Sequence, residues 1–178
     1  DQIGRTRDHR LEGLRAATLV VERLARACAS TAMVTCMHYA ATAVIEAHGT
    51  RQIREEIAAG RHLSTLAFSE GGSRAYFWAP TSTARVDGDR VLLDANKPWV
   101  TSAGEADSYV WSSRPAAAEG FSTIWHVPAN TQGLTLAGTF DGLGLRGNSS
   151  RPVTAQEAAI PSANRLGEDG KGFDVMMN

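Results

Sequence analysis

The sequence is poor in the features that commit a chain to charged surfaces. Of its 18 basic residues only Lys97 and Lys171 are lysines, and the arginines are scattered. With a net charge of −1, nothing tracks a phosphate backbone or draws the chain to anionic lipid. Nucleic acid and membranes are therefore not expected partners. There is no uncharged apolar run long enough to span a bilayer. The opening Asp1-Gln2-Ile3-Gly4-Arg5 lacks the charged-then-apolar order of a secretory signal, so a cytoplasmic location is expected. Cys28 and Cys36 are the only cysteines. They fall in one apolar helical stretch and are expected to be buried, reduced thiols, since one straight helix does not give disulfide geometry. His9, His38, His48, His62 and His126 show none of the paired spacings that bind zinc from one helix face, and no metal site is expected.

What is present changes character near residue 60. From Leu11, apolar residues recur three and four apart at Leu14, Thr18, Val21, Leu24, Ala25 and Cys28, which predicts one buried helical stripe. A second helix is expected from Ser30, a plausible N-cap, through Met33, Cys36, Met37, Ala40 and Val44. It is apolar nearly all round and should lie centrally in a bundle. Gly49 stops it, and Thr50 caps a short amphipathic helix with Ile53 and Ile57 on one face. From residue 62 the pattern becomes short strand-like runs: 64–69, 81–86, 90–93, 98–102, 108–113, 121–127, 133–137 and 153–158. Asp87-Gly88-Asp89 is a hairpin signal. Runs so short and evenly spaced predict an all-β barrel or sandwich, giving an α+β chain overall. Pro115 to Gly120 reads as one surface loop, and Asp174-Val175-Met176-Met177 as the start of another helix.

Two familiar spellings are set aside. Gly142-Leu143-Gly144-Leu145-Arg146-Gly147 mimics a dinucleotide fingerprint but follows a β-rich region and opens no predicted helix. Ser69 lies outside any nucleophile elbow, so hydrolase chemistry is unsupported.

Four segments carry more information together than singly. Leu66-Ala67-Phe68-Ser69-Glu70-Gly71-Gly72-Ser73 resembles the "A-L-T-E-P-G-S-G-S-D" motif of the acyl-CoA dehydrogenase family. Asn96-Lys97-Pro98-Trp99-Val100-Thr101-Ser102-Ala103-Gly104-Glu105-Ala106-Asp107 resembles its "G-x-K-x-W-I-T-N-G-x-x-A-D". Residues 142–150 resemble "M-G-x-R-G-S-x-T", and Ile160-Pro161 with 166–173 resembles "V-P-x-x-x-x-L-G-x-x-G-x-G-F". The resemblance implies a multidomain α+β protein: a partial N-terminal helical bundle over 1–61, a middle β-domain over 62–163, and over 164–178 a linker with the first turn of a C-terminal helical domain. It implies FAD as cofactor, with Trp99 and Thr101 on the flavin ring, Val100 contributing backbone, and Phe68 and Ser69 at the pyrimidine end. A flavin ring needs a flat apolar wall and a few placed hydrogen bonds, and strand alternation puts residues 99 and 101 on one side.

The resemblance further implies α,β-dehydrogenation of an acyl thioester on CoA or a carrier protein. An electron-transfer partner or oxygen would reoxidise the flavin, in a homodimer or homotetramer. The family's base is a carboxylate of the C-terminal helical domain, so no catalytic residue is assigned in this chain, and residues 1–178 alone are expected to be inactive. Glu70 is read as a structural carboxylate bonding loop backbone. One departure bears on substrate: the family's second "G-S-D" aligns with Arg74, Ala75 and Tyr76. Arg74 can meet a phosphate, but Ala75 has no hydroxyl, and Tyr76-Phe77-Trp78-Ala79-Pro80 is bulky where the family is small and polar. Two other readings are a flavin monooxygenase of the same superfamily and an inactive fragment or scaffold subunit.

Overall fold

Two long helices lead the chain and two β-sheets follow. The structure, a computed structural model, describes residues 7–73, 76–139 and 141–177, with side chains from residue 12 onward. Arg74, Ala75 and the Leu11 side chain lie outside the described residues. Helix α1 spans Arg7–Ala27, α2 Ala29–His48 and α3 Arg51–Ala58. The strands are β1 Ser64–Ala67, β2 Thr83–Asp87, β3 Arg90–Val100, β4 Ser108–Ser113, β5 Thr123–Pro128, β6 Leu134–Leu136, β7 Arg151–Pro161 and β8 Arg165–Leu166. A short helix α4, Gly172–Met177, follows. Among the described residues no helix is long and apolar enough to cross a membrane.

The helices stop where local chemistry stops them. Thr50 Oγ1 accepts a hydrogen bond from the Ile53 amide at the start of α3, as its side chain suits. Cys28, not Ser30, sits at the N-cap of α2, its backbone extended (φ −151°) between two helices that leave a single residue for the turn. That position exposes the Cys28 thiol, and Cys36 is half-buried, so the expectation of two buried thiols is corrected. The α1 stripe is also less buried than its periodicity predicts. Leu14 is 66% exposed and Leu19 and Val20 are exposed too, while Val21 and Leu24 are half-buried. The main packing of α1 is on α2, and one neighbour covers a narrow strip.

The sheets run β1-β4-β5-β8 and β2-β3-β7-β6. The β1–β4 pair is parallel and all other named pairs are antiparallel. The sandwich form of the expected β-domain holds, because one apolar core takes side chains from both sheets. It joins Ala67, Tyr109, Trp111, Trp125 and Val127 of the first to Val91, Leu93, Val153, Ala155, Ala158 and Ile160 of the second. Alternation then sends Val110 and Ile124 to the opposite face. There they meet Ala41, Val44 and Ile45 of α2 and Val175 of α4. This explains why β4 is buried along its whole length. The rings of Trp111 and Trp125 are at most 1% exposed, and truncating either to alanine is expected to cost about 3–5 kcal/mol. A polar seam sets α2 on β1: His38 Nδ1 meets Ser64 O, Ser64 Oγ meets Ser108 Oγ, and His62 Nε2 meets Ser108 Oγ at 2.8 Å.

Both long strands carry a bulge. Leu93 pairs with Ala158 and Ala95 with Ala155, so Gln156 and Glu157 of β7 together face Asp94. Glu157 takes a left-handed φ of 45°, and its amide donates to Asp94 Oδ1 at 2.8 Å. The phase of burial on β7 shifts there, from Val153 and Ala155 to Ala158 and Ile160. Sequence alternation splits β3 into two runs because Asp94 and Asn96 are polar and exposed; the structure joins them in one strand.

The surface loop 115–120 is held from a distance. Asp169 accepts from the amides of Ala116, Ala117 and Ala118 at 2.8–3.0 Å and from Thr123 Oγ1. Burial pushes its carboxyl up, but these donors outweigh it and bring it down to about 2. A carboxyl held below its unfolded value of 3.8 adds stability above that value and loses it as pH falls through about 2. Asp169→Asn is expected to lower the unfolding free energy at pH 7 by on the order of 1–2 kcal/mol, discounted for its partial exposure. Urea titrations at several pH values check this: the gap between variant and parent should close between pH 4 and pH 2.

Candidate functional site

The second motif folds around a bulge that neither composition nor alternation announces. On β3, Lys97 pairs with Val153 and Val100 with Arg151, so Pro98 and Trp99 together face Pro152. Proline suits this place because it has no N–H to give the ladder. Strict alternation would put Lys97 and Trp99 on one face. The bulge separates them: the Lys97 side chain is 0% exposed, Val100 is buried, and Trp99 is 62% exposed. Trp99 is thus no core aromatic, unlike Trp111 and Trp125. Thr101 is half-buried at the end of the strand, where Ser102 adopts φ 57° and opens a turn. That turn is tied to the third motif, since the Ser102 amide donates to Asn148 O at 2.9 Å. Residues 146–148 form one turn of 3-10 helix there, flanked by left-handed Leu145 and Ser149, so the Gly-rich run opens no α-helix.

The first motif follows β1. Phe68 packs half-buried with the cluster that holds Val175 and Met176, and Ser69 is exposed. Glu70 turns inward. One oxygen accepts from the Thr81 amide, from Thr81 Oγ1 at 2.7 Å and from the Ser82 amide at 2.9 Å. The other accepts from Ser82 Oγ and Lys97 Nζ, each at 2.5 Å. Glu70 is therefore a structural carboxylate closing the base of the 71–80 loop.

Lys97 is the residue that motif reading underrates. Its ammonium donates to Glu70, to Ser112 O at 2.8 Å and to Ser112 Oγ at 3.0 Å, and lies 5.2 Å from the Trp111 ring centroid. The Ser112 carbonyl is available because β1 stops opposite Trp111, one residue earlier on β4. Burial raises the Glu70 carboxyl, but the Lys97 charge and the hydroxyl donors outweigh it and hold it at about 2. Burial pushes the Lys97 ammonium down to about 8 against the pull of Glu70. Both groups are charged at neutral pH. The signal in the sequence was that one of only two lysines sits between strand residues that alternate into a core.

Residues 70, 97, 102 and 148, from three of the four motifs, are thereby joined directly. The fourth reaches them through α4, whose Val175 and Met176 share a cluster with Phe68. Beside it lies an apolar groove of about 380 Å³ lined by Phe77, Trp78, Phe121, Phe173 and Met177. Trp78 is its centre, with Tyr76 and Phe77 each at 5.0 Å between ring centroids and Phe173 at 6.5 Å. Arg74 and Ala75, expected at the substrate, are outside the described residues. Among the described residues no group of three His, Cys, Asp or Glu is placed to hold a metal.

Residues 65–158 match the family model described as acyl-CoA dehydrogenase, middle domain. The chain is 32% identical over 170 residues to the short-chain specific acyl-CoA dehydrogenase, mitochondrial, of Bos taurus, covering 91% of this chain and 41% of that protein. Its fold is similar to the acyl-CoA dehydrogenase of Geobacillus kaustophilus, with TM-score 0.81, 24% identity, 90% of this chain and 44% of the other. It is also similar to the Bacillus anthracis acyl-CoA dehydrogenase complexed with FAD, with TM-score 0.80, 24% identity, 89% of this chain and 28% of that one. The chain thus spans less than half the length of these relatives.

Removing one partner of a buried ion pair strands the other charge. Lys97→Met is expected to cost about 3–5 kcal/mol, whereas Glu70→Gln with Lys97→Met should fall within about 1–2 kcal/mol of the parent. Urea unfolding of the parent, single and double variants measures the difference.

Proposed function

Because the chain belongs to the acyl-CoA dehydrogenase family through residues 65–158, we propose that the whole protein is an FAD-dependent dehydrogenase of an acyl thioester carried by CoA or a carrier protein. The observation that carries this reading is the exposed Trp99 indole on a bulged strand end, in a protein whose Trp111 and Trp125 are fully buried. A large aromatic face held outward by rigid backbone suits a flat ring system. The residues present fit a flavin: Trp99 would pack on the ring, the Thr101 hydroxyl and Val100 backbone would bond its edge, and Phe68 and Ser69 would meet its pyrimidine end. FAD bound there supplies a hydride acceptor.

What this chain contributes is orientation and exclusion of water. Holding substrate and acceptor in a fixed geometry accelerates a bimolecular step, and the rigid turn after Thr101 serves that end. The α-proton goes to a carboxylate outside residues 1–178, as the family's pattern implies. Arg74 and Ala75 are assigned to the substrate side, with Arg74 available to a phosphate. The division into a helical domain 1–61, a β-domain 62–163 and a linker 164–178 belongs to the same proposal. So do a homo-oligomeric assembly, a redox partner or oxygen as final acceptor, and a cytoplasmic location. The absent hydroxyl at Ala75 favours a second reading, a flavin monooxygenase. Anaerobic bleaching of the flavin by an acyl-CoA supports the first reading, and failure to bleach supports the second.

Titrating FAD with the whole protein and following flavin fluorescence tests the cofactor assignment. Stacking of a ring on an aromatic is worth about 1–3 kcal/mol, so Trp99→Ala should weaken FAD roughly tenfold or more. Because the indole is exposed, the urea midpoint should hardly move. Equal affinity with and without the indole would remove the basis of this reading.

A further inference from the structure

The two flavin segments share no backbone ladder. Phe68 and Ser69 follow β1, which pairs with β4, while Trp99–Thr101 end β3, which pairs with β2 and β7 in the other sheet. Their separation is therefore set by side chains that cross the sandwich. Most of that crossing is apolar packing, which is non-directional. Glu70 and Lys97 form a directional crossing that ties these two segments: Glu70 directly follows Ser69, and Lys97 lies two residues before Trp99.

We propose that the buried Glu70–Lys97 pair is the positioning element of the cofactor site, fixing the Phe68–Ser69 segment against the Trp99–Thr101 segment so that FAD affinity depends on it more than the fold does. This rests on the flavin reading above. Three observations support it. The carboxylate takes five donors, from Thr81, Ser82 and Lys97, and the ammonium has three acceptors, so neither group has slack to rotate. The side chains are 0% and 1% exposed, so water cannot replace a lost bond. Stability does not account for the pair, because a buried ion pair is often matched or bettered by apolar residues of similar volume. What such a pair does supply is a unique register, and a binding site needs its parts held within about 0.5 Å.

The pair also makes flavin affinity depend on pH in a way that a stability role would not. Among the described residues Glu70 is the ionisable group acting on Lys97; its other partners are Ser112 and the Trp111 ring. As pH rises past about 8 the ammonium loses its proton and the carboxylate loses its partner. Lys97 titrates below its unfolded value of 10.5, so in that window its deprotonation adds to fold stability. A loss of FAD there would not be unfolding.

The test is FAD titration by fluorescence between pH 7 and 9.5, with urea unfolding of each apoprotein, on the whole protein as parent and on its Glu70→Gln, Lys97→Met double variant. The expected result is a urea midpoint near the parent's, FAD binding at least tenfold weaker at pH 7, and loss of the parent's decline in affinity above pH 8. A double variant that binds FAD within twofold of the parent overturns the proposal, as does a parent whose affinity is flat across that range. A parent that binds no FAD at any concentration defeats the flavin reading itself, and the proposal with it. If the double variant does not fold, Ser82→Ala replaces it: this removes one donor and keeps both charges. A severalfold weakening is then expected, and no change overturns the proposal.

Discussion

A carboxylate and an ammonium meet in the core of this sandwich, with almost no solvent contact at either, and the first two motifs are fixed to each other where they meet. Glu70 must turn inward to reach Lys97, which closes the 71–80 loop onto Thr81 and Ser82. Lys97 must point into the sandwich, which makes β3 a core strand up to that residue. The Ser112 carbonyl beyond the end of β1 completes the site, so even the length of the short parallel strand is part of the arrangement. Had β1 run one residue further, that carbonyl would be drawn into the ladder and the ammonium would lack an acceptor.

The bulge at Pro98-Trp99 resolves a conflict this arrangement creates. A lysine in the core and a tryptophan two residues on would normally share a face. The core already holds Tyr109, Trp111 and Trp125, the first two with ring centroids 6.3 Å apart, and space for a further indole is lacking. Inserting one extra residue on β3 keeps Lys97 and Val100 inside and turns Trp99 out. The opposite bulge, at Gln156-Glu157 of β7, lets that strand follow its neighbour while still presenting Ala158 and Ile160 to the core.

Much of the architecture was legible because local chemistry and tertiary structure agree. The Thr50 cap, the Gly49 stop, the 87–89 hairpin and the full extent of β4 follow from residue type and spacing. The failures have physical causes. Apolar periodicity gives the side of α1 that can be buried, not how much a single neighbour covers, so Leu14 lies exposed. Periodicity carries the α1 stripe through Cys28 and starts the next helix at Ser30; the structure makes Cys28 a one-residue link, whose exposure apolar spacing does not reveal. At the candidate site, the motifs single out Trp99, Val100, Thr101, Phe68 and Ser69 but conceal why Trp99 is accessible. A bulge depends on pairing with a distant strand, and single-strand alternation carries no information about that. The role of Glu70 as a structural acceptor was readable; its chief partner was not, since a lysine in a strand usually marks solvent.

The same geometry separates what can vary from what cannot. Glu70 spans from the start of the loop to its end at Thr81 and Ser82, so the loop is closed at its base whatever lies between. Residues at the tip can change size without moving Phe68 or Ser69. In this chain the tip holds Tyr76-Phe77-Trp78, and these rings pack on one another and on Phe173 of α4 instead of on the sandwich core. An aromatic run would be costly in a loop that set the cofactor geometry directly, because bulky residues at a close approach force backbone shifts. Its placement beyond a pinned base lets the motif residues keep the pattern of the family while the Tyr76-Phe77-Trp78 run departs from it. The segments that carry Phe68, Ser69 and Trp99 and the loop that carries the aromatic run are thus different parts of the chain, and only the first are tied to the ion pair.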